Sequence, residues 1–248
     1  MSIDSLSTHR SIRKYANRPI SADTVQDIVD AGIRGSNTGN MQLYSIVLTQ
    51  DAATKAALAP AHFNQPMVTE APLVVTVCAD VNRMTKWCEA RDAAAGFHNM
   101  ETFLTAAVDA TIVAQNMALA AEEAGLGVCY LGTTTYNPEM IIDTLRLPKG
   151  VFPITTLTIG HPAEAPGLTE RLPREAVTHT DTYSDYTRGD IDRLHADKEA
   201  NPANVEFVKA NGKENLAQVF AEVRYPGPGN EAFSAKLMDA LRSQGFTK

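Results

Sequence analysis

A single long apolar helix constrains the fold of this chain more than any other feature of its sequence. Apolar side chains recur at helical spacing between about Glu101 and Ala124, with many alanines between them. Because alanine lets neighbouring elements approach closely, we expect this helix in a central core or at a subunit interface. Gly125 and Gly127 end the helix, and the segment from Val128 to Leu131 is predicted to be a strand.

The rest of the chain continues this alternation of helices and strands. Three more strands are predicted, at Tyr44 to Thr49, Leu73 to Ala79 and Pro153 to Ile159. Further helices are predicted over residues 2–8, after the N-cap Ser21, from Pro138 to Leu145, and near 185–198, 213–222 and 230–243. The pattern predicts one domain of the α+β class (three layers, α/β in character) over residues 1–248, with 180–248 as a C-terminal helical extension.

Composition and net charge indicate which classes of binding partner to expect, and the sequence also indicates where in the cell the protein is found. A hydrophobic content of 44% is enough for a sizeable core, and a net charge of −7 disfavours binding to nucleic acid or to an anionic membrane surface. No apolar segment is expected to reach membrane-spanning length, since Asp109, Gln115 or Glu122 interrupts the most apolar ones. The N-terminal residues 1–5 do not resemble a secretory signal, so we expect a cytoplasmic protein.

Several familiar catalytic motifs are missing from the sequence. It has no phosphate loop, no nucleophile elbow and no His-Glu-x-x-His pair. Cys78, Cys88 and Cys129 are scattered and odd in number, which favours free thiols over a disulfide framework or a zinc site. The segment from Gly125 to Gly127 begins like a dinucleotide fingerprint, but it lacks the third glycine and leads into a strand. We therefore predict no bound metal, and the sequence contains none of these catalytic motifs.

One basic segment, His9-Arg10-Ser11-Ile12-Arg13-Lys14, is the strongest candidate for a binding site. Two interpretations are open. Such a run is usually a solvated basic surface. Alternatively it is an anion cradle, because arginine offers a planar donor fork for phosphate and serine adds a hydroxyl.

The basic segment, with Tyr15 and the Pro19-Ile20 pair that opens the next helix, resembles the N-terminal signature of the nitroreductase family of flavoproteins. Five more segments resemble the family's motifs in the same order: Ser36 to Gln42, Asn64-Gln65, Gly125 to Gly132, Ile159 to Glu164 and Arg171-Leu172-Pro173. Each motif alone is weak, but their shared order and spacing over residues 9–173 are fairly specific. The resemblance is greatest to the major, oxygen-insensitive NADPH nitroreductase and flavin reductase type.

This resemblance implies an FMN site and assigns its residues. His9, Arg10, Ser11 and Arg171 would hold the FMN phosphate and the nearby ribityl oxygens. Arg13 would lie toward the N1/O2 side of the flavin ring, where a cation stabilises the negative charge of the reduced flavin. The ring contacts would come from Asn37, Thr38, Gln65 and the backbone around Leu131, Gly132 and Thr133.

The resemblance also implies a fold and an activity. The fold would be nitroreductase-like, with a central mixed, mostly antiparallel sheet flanked by helices. NADPH or NADH would reduce the flavin by hydride transfer, and a nitroaromatic, a quinone or a free flavin would then be reduced in a second step. The protein would be a homodimer with FMN at the subunit interface. Two alternatives remain open: a specialised flavoenzyme for reductive dehalogenation or dehydrogenation, and a non-catalytic flavin-binding protein.

Two departures from the family pattern affect these expectations. Many relatives of this type have a lysine two residues before the late arginine, where this chain has Thr169. The missing cation could weaken FMN binding or shift the phosphate contact to Lys14. Beyond about residue 180 the family's NADPH-selecting region does not align. Lys209 and Lys213 are candidates for the 2′-phosphate of NADPH, with an exposed helix surface as the alternative, so the choice between NADH and NADPH stays open.

Overall fold

The computed structural model describes residues 6–247. Its helices are α1 (Ala22–Ile33), α2 (Ala52–Leu58), α3 (Met67–Glu70), α4 (Asn82–Glu89), α5 (Met100–Glu123), α6 (Pro138–Leu145), α7 (Arg188–Ala200), α8 (Pro202–Ala210), α9 (Leu216–Gln218) and α10 (Gly227–Gln244). Its strands are β1 (Tyr44–Thr49), β2 (Leu73–Asp80), β3 (Gly127–Leu131) and β4 (Val151–Gly160). Short 3₁₀ helices occur at Thr38–Asn40, Ala59–His62 and Arg174–Ala176, and a π-helix at Val219–Arg224.

The strands of the described chain form one sheet in the order β1-β2-β4-β3. Each pairing in it is antiparallel. Strand β2 is central and buried at every residue, as its nearly continuous apolar sequence predicts. Helices flank the sheet, so the predicted α+β fold is confirmed.

The long helix α5 forms the core against the sheet and α1. Asn99 caps its N-terminus by accepting a hydrogen bond from the Thr102 backbone. Small residues on its buried face, such as Ala110 and Ala114, allow the close packing that the alanine-rich sequence predicts. The expectation that no segment approaches membrane-spanning length was wrong, because this helix is long and apolar enough to cross a membrane. Its packing on the sheet is that of a core helix.

Most predicted elements are confirmed to within two residues, including Ser21 as the N-cap of α1. Helices α2, α3, α4 and α8 have no counterpart among the helices predicted from the sequence. Helix α2 begins at a capping Asp51 but has only seven residues, too few for a clear helical period. Helix α8 follows α7 directly, with Asn201 as its cap and Pro202 in its first turn. Of the helix predicted over residues 2–8, residues 2–5 lie outside the described residues, and residues 6 and 7 are helical.

The described chain divides into two compact units. The first contains the residues up to Gly167 together with those from Phe233 onward, and the second is Leu168–Ala232. The C-terminal residues complete the core of the first unit. The Phe246 ring is only 1% exposed and lies 5.0 Å from the Phe103 ring, and Gly150 N–H donates to the Gln244 carbonyl at 3.0 Å.

Candidate functional site

The basic segment lies directly against strand β3. Ile12 N–H donates to the Val128 carbonyl at 2.9 Å, and the Ile12 side chain is buried. A Cβ atom on Gly127 would lie only 2.6 Å from Ile12 Cβ. A glycine is therefore required here for close approach between the two segments, which is a physical reason for the glycine that resembled a dinucleotide fingerprint.

Glu164 holds the backbone of the basic segment from the other side. Its Oε1 accepts hydrogen bonds from Arg13 N–H at 2.6 Å and from Lys14 N–H at 3.1 Å. Ala163 N–H donates to the Lys14 carbonyl at 2.9 Å, and Tyr15 forms a β-bridge with Pro162. Because these contacts use the backbone, the Arg13 side chain stays exposed and available to a ligand.

Two further side chains of the segment have defined partners. The Arg10 Nη1 donates to the Pro166 carbonyl at 3.1 Å. The His9 Nδ1 lies 2.6 Å from Glu122 Oε1, which leaves its Nε2 for another partner. Glu122 was treated in the sequence only as a polar interruption of an apolar helix. Its carboxylate instead orients the imidazole, and Ser11 between His9 and Ile12 is half-buried.

Arg13 also affects the strand beside it. Burial raises the pKa of the Cys129 thiol, and the charge and hydrogen bonding of the nearby Arg13 guanidinium partly offset that rise. Cys129 is the third residue of β3, so the guanidinium lies along this strand. Cys78, Cys88 and Cys129 are free thiols, as predicted.

The C-terminal end of β3 carries a second group of predicted residues. Leu131 is buried, Gly132 is exposed, and no atom lies within 4 Å of the position where Gly132 would have a Cβ. Thr133 Oγ1 lies 2.9 Å from Nδ1 of His62, and Gln65 Nε2 donates to the His62 carbonyl at 3.1 Å. His62 was not predicted, because a lone histidine in the sequence carries no pattern signal.

The polar loop after α1 is fixed by a buried carboxylate. Asp109, 1% exposed in the middle of α5, accepts Thr38 N–H on Oδ1 at 3.0 Å and Leu43 N–H on Oδ2 at 3.3 Å. Asn37 Oδ1 accepts Gln42 N–H at 3.2 Å within the same loop. Asp109 was missed as a site residue because its helix otherwise reads as an apolar core element. Its carboxylate fixes the backbone at Thr38 and Leu43, near the two ends of this loop.

The late arginine belongs to the other compact unit. Arg171 is exposed, and its Nη1 donates to the carbonyls of Thr169 and Glu170, each at 3.1 Å. The other predicted site residues lie in the first unit. Of the two candidate nucleotide-binding lysines, Lys213 pairs with Glu222 at 2.7 Å and Lys209 is exposed.

The hydrogen-bonding groups of the basic segment and of the C-terminal end of β3, together called the donor set, fit a flavin mononucleotide. Guanidinium, imidazole and hydroxyl groups at the start of β3 are suited to a phosphate. At the other end of the strand, an open backbone surface at Gly132 and the Gln65 amide are suited to the edge of a planar ring. Within residues 6–247, no group of three His, Cys, Asp or Glu side chains could hold a metal ion.

The antiparallel α+β fold and this donor set define the protein as an oxidoreductase of the nitroreductase fold. The sequence profile of the Nitroreductase family matches residues 6–161. The chain belongs to the nitroreductase family, and the predictions of family, fold and oxidoreductase class are confirmed.

Individual relatives agree with this assignment. The chain is 32% identical to "FMN reductase [NAD(P)H]" of Bacillus subtilis, over 98% of this chain and 97% of that protein. It is 36% identical to the oxygen-insensitive NADPH nitroreductase of Salmonella typhimurium, over 73% and 74% of the two chains. A crystal structure from Bacteroides fragilis, assigned provisionally as an oxidoreductase, superposes with a TM-score of 0.97 at 53% identity, covering 99% of this chain and 100% of that one.

Proposed function

We propose that this chain is an FMN-dependent oxidoreductase that uses NADPH or NADH to reduce nitroaromatics, quinones or flavins. The observation that carries the proposal is the seating of the basic segment against β3, through Gly127 and the Ile12–Val128 hydrogen bond. The names of the B. subtilis and S. typhimurium relatives support both the cofactor and the electron donor. When bound, FMN supplies the hydride chemistry, so the protein needs no catalytic acid or base of its own.

The phosphate of the cofactor is assigned to the cationic end of the site. Arg10 would bind it with a planar donor fork, while Ser11 adds a hydroxyl and His9 its Nε2. Arg171 belongs to the other compact unit, and the phosphate contact that the resemblance gives to it stays a prediction. The Glu122 carboxylate, 2.6 Å from His9 Nδ1, fixes the orientation of that imidazole. Position 169, where many relatives have a lysine, is an exposed threonine here, so Arg171 has no second cation two residues before it.

The ring of the cofactor is assigned to the opposite end of β3. Arg13, whose guanidinium lies beside Cys129 of β3, would place a fixed positive charge near the N1/O2 side of the ring and favour electron uptake. Three segments would supply the ring contacts. They are the loop fixed by Asp109 (Asn37 and Thr38), the turn after His62 (Gln65) and the end of β3 (Leu131, Gly132 and Thr133).

We further propose that the protein is a cytoplasmic homodimer that acts as one FMN-binding domain over residues 1–248, with 180–248 as a helical extension. Leu104 and Val108 lie one turn apart on α5 and are 60% and 58% exposed. Two such apolar side chains on one helix face suit burial against a second copy of the chain.

The alternative is a flavin-binding protein without turnover, and it is based on Thr169, which stands where many relatives have a lysine. One experiment separates this alternative from the proposed enzyme. Purified protein is titrated with FMN, and the loaded protein is then reduced with NADH and NADPH in parallel by stopped flow. We expect a yellow protein that oxidises at least one nucleotide and passes the electrons to a quinone. A protein that takes up no FMN would overturn the proposal, and a yellow protein without turnover would favour the alternative.

A further inference from the structure

We propose that His62 is a positioning residue that sets the hydrogen-bonding polarity of Gln65 and Thr133 toward the bound flavin. Its backbone carbonyl turns the Gln65 amide oxygen outward as an acceptor, and its imidazole leaves the Thr133 hydroxyl free to donate. This inference rests on the proposed FMN-dependent function, since it names what two of the proposed ring contacts present to the ring.

One buried residue holds both of these side chains. The His62 side chain is fully buried, and its Nδ1 lies 2.9 Å from Thr133 Oγ1. The His62 carbonyl accepts two hydrogen bonds from Gln65, one from the backbone N–H at 3.2 Å and one from Nε2 at 3.1 Å. Gln65 and Thr133 come from segments nearly 70 residues apart, and His62 connects them.

The orientation of the Gln65 amide follows from these contacts. A carbonyl oxygen only accepts, so the amide nitrogen must face His62. The same nitrogen lies 3.5 Å from Thr133 Oγ1. With Nε2 occupied in this way, the amide oxygen of Gln65 is the atom left for a ligand, and it can only accept a hydrogen bond.

The protonation state of the imidazole settles the role of the Thr133 hydroxyl. His62 Nε2 is buried and has no hydrogen-bond partner among the residues described. A proton on Nε2 would bury an unpaired N–H, which folded proteins avoid more strictly than an unpaired acceptor. We therefore assign the proton to Nδ1, which donates to Thr133 Oγ1. Burial lowers the pKa of His62 to about 4, so the ring is neutral at physiological pH.

With Thr133 Oγ1 accepting from His62, its own hydrogen is free to donate to a ligand. Thr133 is half-buried beside the exposed Gly132, so the hydroxyl is accessible from the open end of β3. An outward acceptor next to an outward donor matches the pyrimidine edge of a flavin, where a ring N–H lies between two carbonyl oxygens.

The backbone around His62 is held in a strained, fixed conformation. Phe63 and Asn64 both have φ of +55°, a left-handed conformation that is unfavourable for phenylalanine. The 3₁₀ turn before them is tied down by Asn137, whose Nδ2 donates to the Ala61 carbonyl at 3.3 Å. Strain of this kind persists only where the surroundings enforce it, and it occurs often at binding sites. Gln65 is therefore preorganised before any ligand arrives.

The test compares His62→Leu, His62→Asn and Thr133→Val. Asparagine supplies an amide donor near the position of Nδ1, whereas leucine removes it. FMN dissociation constants, the absorption spectrum of bound FMN and its midpoint potential are measured, with circular dichroism as the check of folding. We expect His62→Leu to weaken FMN binding by about tenfold, the effect of one lost hydrogen bond, and to shift the spectrum and the potential. His62→Asn should restore most of each change.

The Thr133→Val background tests the proposed route through the hydroxyl. There, His62→Leu should weaken FMN binding much less than in the wild type, because the donor that His62 positions is already gone. The inference would be overturned if folded His62→Leu kept the wild-type FMN affinity and midpoint potential. It would also be overturned if His62→Leu weakened FMN binding equally in the wild type and in Thr133→Val. If His62→Leu does not fold, His62→Asn and Thr133→Val decide it, because a Thr133→Val variant with unchanged spectrum and affinity excludes a donating hydroxyl. Failure of the wild type to bind FMN would instead refute the proposed function.

Discussion

Gly127 and Ile12 approach each other so closely that no side chain fits at position 127, where a Cβ would lie 2.6 Å from Ile12 Cβ and 2.7 Å from its Cγ atoms. This contact sets the distance between the cationic segment and strand β3. The Ile12 Cβ is next to the backbone, so it cannot move aside without displacing the whole segment.

Gly127→Ala should therefore destabilise the fold and weaken FMN binding together. We expect a loss of about 1–3 kcal/mol in the free energy of unfolding, which is typical of overpacking. Urea denaturation and an FMN titration measure the two effects. Gly96→Ala is the matched control, since no atom lies within 4 Å of the Cβ position at Gly96. Equal stability of the two variants would contradict the role of Gly127.

Asp109→Asn should loosen the loop that carries Asn37 and Thr38. An asparagine keeps one acceptor oxygen but turns an NH₂ group toward a backbone N–H that needs an acceptor. Leaving that buried donor unpaired should cost about 1–3 kcal/mol in unfolding free energy, and FMN affinity should fall as well. In the control Asp239→Asn, the affected ion pair to Arg242 is exposed, so a smaller change is expected. Unchanged FMN affinity in Asp109→Asn would show that the loop does not depend on this carboxylate.

The stability of the protein should fall with acid because of His62. Burial lowers its pKa from 6.5 to about 4, so between these pH values the unfolded chain binds more protons than the folded one. The free energy of unfolding should therefore drop as the pH falls from about 6.5 toward 4, by about 3 kcal/mol from this group. His62→Asn should flatten that part of the profile relative to the wild type, while the exposed His98→Asn should not. Parallel profiles for all three proteins would refute the buried neutral state.

Arg13→Ala should make the reduction of bound FMN less favourable. Removal of the fixed positive charge is expected to lower the midpoint potential on the order of 30 mV, equal to about 1.4 kcal/mol for a two-electron couple. Spectroelectrochemistry of the FMN-loaded variant measures it, with the exposed Arg91→Ala as the control for loss of a positive charge. An unchanged potential in folded, FMN-bound Arg13→Ala would remove Arg13 from this role.

Leu104→Glu should break the proposed homodimer. A carboxylate buried in an apolar interface without a partner is strongly unfavourable, so sedimentation velocity should show a monomer. Ala57→Glu adds the same charge at an exposed position of helix α2 and should leave the wild-type mass unchanged. A wild-type protein that is already monomeric at micromolar concentration would contradict the proposed assembly.

The sequence predicted the strands and the long helix well because their periodicity and their glycine and proline boundaries are local signals. Strand β2, apolar throughout, and helix α1, capped by Ser21, are examples. The residues that shape the site were harder to predict because their roles depend on contacts distant in the chain. Asp109 bonds to residues 71 and 66 positions away, and His62 to a hydroxyl 71 positions away. No pattern within a single segment reports such a contact.

The burial of Phe246 has a consequence for the order in which the chain can fold. Its ring fills a space beside Phe103 and Phe152, so a chain emerging from the ribosome cannot close this part of the core until Phe246 has emerged. Until then Phe103 and Phe152 remain open to solvent and to other apolar surfaces. We expect the emergence of Phe246 from the ribosome, rather than formation of the sheet, to be the moment at which the nascent protein becomes resistant to proteolysis.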